Sequence, residues 1–133
     1  MRVLFIGFGN VGRTVARILS RERSRFPGLE VLDGLVTAGI VTRRGGAMVS
    51  SEGIDLDLAL KDMETLGCFN EKEGSFCRIT AEEAASTLDY DVLVELSTLS
   101  IENRGEPAAT HIRTALKRGR HAVSANKGPV AFA

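Results

Sequence analysis

Short apolar runs alternate along the chain with segments in which apolar residues recur every three or four positions. The first run, VLFI at residues 3–6, is continuous, which is typical of a strand covered on both faces. Helical spacing follows over residues 11–19, and Pro27-Gly28 is predicted to end that helix or its extension. A second strand is predicted over residues 35–42, and the sequence RRGG at residues 43–46 breaks it.

The same alternation continues to the end of the chain, although residues 47–79 are less regular. The spacing there predicts a short helix and then a short strand over residues 75–79. Thr80 and Glu83 fit a capping box that opens a helix to about residue 88. The remaining elements are a strand over 91–96, a helix opened by Pro107 and ended by Gly119, and a strand over 121–125. This order predicts an α/β fold, a Rossmann-type doubly wound parallel sheet, in one dinucleotide-binding domain spanning residues 1–133.

The composition of the chain argues against several classes of function. The chain of 133 residues carries 17 basic and 17 acidic side chains, so it lacks the basic footprint of a nucleic-acid binder. No apolar run approaches the roughly 20 residues that span a bilayer, and the N-terminus has no secretory signal. A disulfide between Cys68 and Cys77 is one alternative, but two free thiols in a reducing cytoplasm are the favoured interpretation. Without a CxxC, an HExxH or a histidine cluster, no metal site is expected.

A glycine-rich motif, GFGNVG at residues 7–12, follows the first strand and opens the first helix. In such a motif Gly7 permits a tight turn, Gly9 lets the backbone approach a pyrophosphate, and Gly12 lets the helix pack closely on the strand. The unpaired N–H groups and positive end of the helix then favour phosphate binding. The alternative is a strand-to-helix turn that binds nothing. The context favours a dinucleotide.

The end of the second strand bears on which dinucleotide is bound. NAD-binding domains usually place an acid there for the ribose 2′-hydroxyl, whereas the end of this strand reads Val41-Thr42-Arg43-Arg44 and contains no acid. Arginine can bind a 2′-phosphate through charge-assisted hydrogen bonds, so NADP is predicted in preference to NAD. The strand end lies about 30 residues after Gly12 rather than the usual ~20. A misplaced strand end and a solvated arginine pair therefore remain alternatives.

Two polar segments follow the later strands, at the edge where doubly wound sheets bind ligands. They are STLS at residues 97–100 and NKGP at residues 126–129, and the NKGP segment is typical of the opening of another element. Lys127 beside a nicotinamide could hydrogen-bond a carbonyl or hydroxyl oxygen and stabilise the charge that develops there during hydride transfer. From spacing alone, a surface lysine is the alternative.

Four stretches together resemble homoserine dehydrogenase, specifically its N-terminal nucleotide-binding half. They are IGFGNVG at residues 6–12, EGIDLDLAL at residues 52–60, DVLVELSTLSIENRGEPAATHI at residues 91–112 and ALKRGRHAVSANKGPVA at residues 115–131. The combination of GEPA, AL-x-x-G-x-H-x-V and ANKGP is highly specific, whereas GxGxxG is not. The resemblance implies the NAD(P)-dependent interconversion of aspartate 4-semialdehyde and homoserine, in threonine, methionine and isoleucine synthesis.

The resemblance also implies roles for individual residues. Lys127 matches an active-site lysine near the nicotinamide and the substrate, and Arg43 matches a position that often contacts the NADP 2′-phosphate. Ser97 and Thr98 fall where the family commonly has a Thr-Pro pair lining the nicotinamide, so Thr98 replaces a proline. The pyrophosphate loop is implied for Gly7, Gly9, Asn10, Val11 and Gly12.

In that family the acid and the lysine that handle the substrate, and the main dimer-forming sheet, lie in a second domain. The chain is therefore expected to be cut before that catalytic domain, to be inactive alone, and to need the missing domain or a separate chain as its partner. A bare edge strand could also pair two copies into a homodimer. The alternatives are a stand-alone nucleotide-binding regulatory module and another Rossmann oxidoreductase acting on an aldehyde.

Overall fold

A computed structural model describes all 133 residues. The strands are β1 (Arg2–Ile6), β2 (Val36–Val41), β3 (Ala47–Val49), β4 (Phe76–Cys77), β5 (Val92–Glu95) and β6 (His121–Ser124). The helices are α1 (Asn10–Arg21), α2 (Leu56–Leu66), α3 (Ala81–Thr87), α4 (Ala108–Lys117) and α5 (Lys127–Phe132). Two short 3-10 turns, Arg23–Arg25 and Leu29–Leu32, join α1 to β2.

The six strands form one sheet in the order β4-β3-β2-β1-β5-β6. β1 lies parallel to β2 and β5, and β5 lies parallel to β6. The predicted Rossmann-type α/β class is thus confirmed, with one difference: β3 and β4 run antiparallel. The chain turns back after β2 because the Thr42 N–H and hydroxyl both donate to the Gly46 carbonyl oxygen, at 3.2 and 2.6 Å. No hydrophobic periodicity marks this hairpin, since β3 has only three residues.

Alternate residues of β1 enter the two cores that cover the sheet. Val3 and Phe5 pack with α1 and α2 on one face, whereas Leu4 and Ile6 pack with α3 and α4 on the other. All four side chains are at most 3% exposed. This two-sided burial explains why the first strand reads as a continuous apolar run rather than an alternating one.

Local signals at the helix ends are mostly confirmed. Thr80 and Glu83 form both hydrogen bonds of the capping box, and Gly119 follows α4 with a φ of 72°. The first helix, however, ends at Arg21, before Pro27. The 3-10 turns occupy the intervening residues and account for the long spacing to β2. This strand ends at Val41, one residue before the predicted end.

Both cysteines are free thiols, Cys68 exposed and Cys77 partly buried in β4. None of the helices combines the length and the apolar character that a membrane crossing requires.

A charged cluster joins α1 to α2 at the surface. The Arg21 guanidinium lies 2.5 Å from an Asp57 carboxylate oxygen and 3.0 Å from Glu64, and Lys61 lies 2.9 Å from the other Asp57 oxygen. The hydrogen bond from Arg21, helped by Lys61, holds the pKa of Asp57 below its usual value. The hydrogen bonds from Arg21 to Asp57 and to Glu64 raise the pKa of Arg21.

Asp57 therefore makes part of the stability pH-dependent. Because its pKa is lower in the folded than in the unfolded state, its contribution is present above the unfolded pKa and is lost as pH falls through the folded one. We expect Asp57→Asn to lower the urea midpoint at pH 7, with the difference from wild type shrinking below about pH 4. Glu52→Gln, at an exposed site without an ion pair, serves as the control. A difference that stays constant with pH would contradict this role.

Candidate functional site

The carboxyl ends of the four parallel strands meet at one edge of the sheet, hereafter the carboxyl edge. Gly7 couples the first two, because its N–H donates to the Val41 carbonyl oxygen at 2.8 Å. Ligands bind at this edge in open α/β sheets. The segments that leave it carry every site residue predicted from the sequence: Gly7, Gly9, Asn10, Val11, Gly12, Arg43, Arg44, Ser97, Thr98 and Lys127.

Gly7 and Gly12 are explained by packing. Gly7 has a φ of 95°, and a Cβ there would lie 2.6 Å from the backbone of Leu96, just after β5. A Cβ on Gly12 would lie 2.8 Å from the Gly7 carbonyl oxygen. These contacts hold the first turn of α1 directly against the ends of β1 and β5.

Gly9 has no such packing reason to be glycine. A Cβ at this position would have no atom of the chain within 4 Å, and its φ is −81°. The residue is exposed. The space in front of the loop is therefore open, and a ligand could approach the backbone there more closely than a side chain would allow.

The N-terminus of α1 is also uncapped. The N–H groups of Asn10, Val11 and Gly12 donate no hydrogen bond within the chain, and the first turn holds no acid. Each of the other four helices begins with a side-chain acceptor, from Asp55, Thr80, Glu106 or Asn126. The unpaired donors and positive end of α1 thus favour an anion such as a phosphate.

Arg13 adds a positive charge beside this loop. Its guanidinium donates to the Asn10 side-chain oxygen at 3.1 Å. This contact is local, because the two residues lie about one turn apart on α1.

Arg43 and Arg44 occupy the hairpin loop between β2 and β3. Both are exposed, and neither forms an ion pair or a hydrogen bond through its side chain within the chain. Two unpaired guanidinium groups at the carboxyl edge suit a second anionic group next to the one at α1.

Ser97, Thr98 and Lys127 lie on the other side of α1, at the ends of β5 and β6. Asn126 ties the two segments together: its side-chain N–H donates to the Ser97 carbonyl oxygen at 3.1 Å, and its oxygen accepts from Gly128 N–H at 3.0 Å. Lys127 is the exposed first residue of α5 and has no ion-pair partner. A cation at a helix N-terminus is electrostatically unfavourable, so helix stability does not explain this lysine.

Gly105 and Gly128 bring the GEPA and ANKGP segments into backbone contact. A Cβ on Gly105 would lie 2.6 Å from the Gly128 carbonyl carbon, and one on Gly128 would lie 2.8 Å from the Gly105 Cα. Nearby, Glu106 accepts from Thr110 N–H at 2.9 Å. That hydrogen bonding, with the charge of Arg113, lowers the pKa of Glu106. Its ionised carboxylate caps α4.

Comparison with known proteins relates this geometry to a family, although no protein-family model matches the chain. A homoserine dehydrogenase of Methanocaldococcus jannaschii is 30% identical over 99% of the chain, which covers 38% of that protein. An NAD(+)-dependent homoserine dehydrogenase of Pseudomonas canavaninivorans is 28% identical over 98% of the chain, which covers 37% of it. The predicted resemblance to homoserine dehydrogenase is confirmed. The chain spans a little over a third of the length of these curated homoserine dehydrogenases.

Solved homoserine dehydrogenase structures agree with the fold. An Archaeoglobus fulgidus protein assigned as a homoserine dehydrogenase has a TM-score of 0.74 and 28% identity, covering 98% of this chain and 35% of its own. A hyperthermophilic archaeal homoserine dehydrogenase in complex with NADPH has a TM-score of 0.72 and 27% identity, covering 97% of this chain and 36% of its own.

One pair at the carboxyl edge escaped the prediction from sequence. Glu95, the last residue of β5, is fully buried, and its Oε2 lies 2.7 Å from Nδ1 of His111 on α4. The two residues are 16 positions apart on different elements, so no local pattern joins them. The available signal was an acid at the end of an otherwise apolar strand.

The contrast between Gly7 and Gly9 can be tested on stability alone. We expect Gly7→Ala to lower the free energy of unfolding by about 2 kcal/mol or more, because the φ is positive and the Leu96 backbone is too close. Gly9→Ala should leave it within about 0.5 kcal/mol of wild type, since no atom opposes the new methyl group. Urea denaturation of the two variants measures this difference. Equal losses would show that Gly9 is also a packing residue.

Proposed function

We propose that this chain is the NADP-binding part of a homoserine dehydrogenase. The observation that carries the proposal is the open Gly9 backbone at the uncapped start of α1, beside the unpaired guanidinium groups of Arg43 and Arg44. This arrangement offers two adjacent anion sites at the edge where α/β sheets bind dinucleotides. The pyrophosphate is assigned to Gly7, Gly9, Asn10, Val11 and Gly12, and the 2′-phosphate to the two arginines.

The preference for NADP over NAD depends on the hairpin loop. An archaeal relative is described in complex with NADPH, whereas a Pseudomonas relative is described as NAD(+)-dependent, so the choice of cofactor varies among similar proteins. Here the end of β2 offers two arginines and no acid. A 2′-phosphate would gain charge-assisted hydrogen bonds there, and no carboxylate would repel it.

The nicotinamide is assigned to the ends of β5 and β6. Neighbouring strands lie about 4.8 Å apart, so three strand spacings separate the end of β2 from that of β6 and leave room for an extended dinucleotide across the edge. A bound cofactor would supply the hydride-transfer chemistry there. Ser97 and Thr98 would line the ring, and Lys127 would donate a hydrogen bond to the substrate oxygen and stabilise the charge that develops on it.

The activity of the whole protein is proposed to be the interconversion of aspartate 4-semialdehyde and homoserine, in the cytoplasmic synthesis of threonine, methionine and isoleucine. Substrate binding is assigned to a further domain or a separate chain, because the relatives are more than two and a half times as long as this chain. The 133 residues would bind the cofactor without turnover, since catalysis needs both reactants held in near-attack geometry.

Calorimetric titration of the chain with NADP⁺ and with NAD⁺ tests the proposal. We expect NADP⁺ to bind at least about tenfold more tightly, because charge-assisted hydrogen bonds to its 2′-phosphate contribute roughly 1.5–3 kcal/mol. Gly9→Val should abolish binding of both while leaving the circular dichroism spectrum unchanged. Unaltered affinity in that variant would contradict the assignment of the pyrophosphate to this loop.

Arg43→Asp, in the same titrations, tests the cofactor preference. The new carboxylate should weaken NADP⁺ by more than about tenfold and leave NAD⁺ affinity equal or improved, because it would repel a phosphate and accept from a ribose hydroxyl. Lys117→Asp makes the same change of charge at the far end of α4, so it should leave both affinities unchanged. Equal effects of the two variants would indicate long-range charge rather than a contact.

A further inference from the structure

The carboxylate of Glu95 lies fully buried beneath the nicotinamide side of the carboxyl edge. One oxygen accepts from the Ser97 N–H at 2.8 Å and from the Ser97 hydroxyl, and the other lies 2.7 Å from His111 Nδ1. We propose that His111, acting through Glu95, is a positioning residue for Ser97 and thereby for the nicotinamide. This inference rests on the proposed cofactor function and adds to it a residue on α4.

Burial makes the pair interdependent. A carboxylate without access to water requires partners for both oxygens, because a buried charge without partners is strongly unfavourable. Ser97 satisfies one oxygen of Glu95, and His111 is the only side chain that reaches the other. Without His111 the carboxylate would have to turn toward water at the carboxyl edge, and Ser97 would lose its fixed acceptor.

The histidine ring serves no other partner in the chain. Its Nε2 is buried and makes no hydrogen bond, while its backbone N–H donates to the Pro107 carbonyl oxygen within the helix start. Because an ionised carboxylate only accepts hydrogen bonds, the contact assigns the ring proton to Nδ1. An apolar side chain could fill this buried site equally well. The presence of a histidine here is therefore explained by its hydrogen bond to the Glu95 carboxylate.

Hydrogen bonds also link Ser97 to the segment that contains Lys127. The Ser97 carbonyl oxygen accepts from the Asn126 side chain, which also caps α5 at Gly128 N–H. The Glu95 carbonyl oxygen in turn accepts from Ala125 N–H at 3.1 Å. Consequently the segment that contains Lys127 is held against the same strand end as Ser97.

The test compares two ligands that share the adenosine end. NADP⁺ spans the whole edge, whereas adenosine 2′,5′-bisphosphate lacks the nicotinamide half and the pyrophosphate. We expect His111→Leu to weaken NADP⁺ about tenfold and to leave adenosine 2′,5′-bisphosphate within about twofold of wild type, both measured by calorimetry. His111→Asn, whose amide can donate from nearly the Nδ1 position, should restore most of the NADP⁺ affinity.

Ser97→Ala is a second variant that tests the same role and leaves the buried Glu95–His111 pair intact. It removes only the hydroxyl hydrogen bond at a partly exposed position, so it should fold even if His111→Leu does not, and it should show the same selective loss of NADP⁺. His121→Leu, at the other histidine, which is exposed at the start of β6, should change neither affinity.

The outcomes separate this inference from the proposed function. Equal losses for both ligands in His111→Leu, or no loss for NADP⁺ in folded His111→Leu or Ser97→Ala, would overturn the positioning role while leaving cofactor binding in place. If the wild-type chain bound the adenosine bisphosphate but NADP⁺ no better, the nicotinamide half would make no contact here and the inference would fail. If wild type bound neither ligand, the proposed function would fail as well.

Discussion

The close backbone contact between Gly7 and the end of β5 is the constraint on which the rest of the site depends. A side chain at Gly7 would overlap the Leu96 carbonyl, and the Gly7 N–H also bonds to the end of β2. One residue therefore fixes the ends of three adjacent strands at one level. Because α1 begins only three residues after Gly7, this turn also fixes the position of the uncapped N-terminus of α1 at the carboxyl edge.

The two sides of the carboxyl edge are built differently, and the difference suits their proposed ligands. The hairpin side presents exposed, unpaired arginines, which suffice to hold a doubly charged phosphate by Coulomb attraction and hydrogen bonds. The side at β5 and β6 is instead held by linked hydrogen bonds from His111 through Glu95 and Ser97 to Asn126. A reacting ring needs a fixed position more than it needs charge, because hydride transfer depends on near-attack geometry.

Much of this architecture could be predicted from the sequence because it depends on local rules. The continuous apolar run of β1, the capping box at Thr80 and the glycine spacing at residues 7–12 each specify their element without reference to the rest of the chain. The β3 hairpin could not be predicted in that way, because a three-residue strand has too few positions to show a period. The Glu95–His111 pair was missed because the two residues are 16 positions apart on different elements and meet only through tertiary packing.

The same distinction applies to the glycines of the loop. The spacing alone assigned a role to each, but only the structure separates Gly7 and Gly12, which packing requires, from Gly9, which faces open space. That separation is what turns a common sequence pattern into a candidate binding site.

The most direct test of the central claim is an NMR titration of the ¹⁵N-labelled chain with NADP⁺, followed through the backbone amide resonances. We predict the largest shifts at Asn10, Val11 and Gly12, whose N–H groups are unpaired, with further shifts in the loops after β2 and β5. Amides at the opposite edge, such as Gly119, should not move. Large shifts at that edge, or a saturable titration that leaves the first turn of α1 unchanged, would contradict the proposed site.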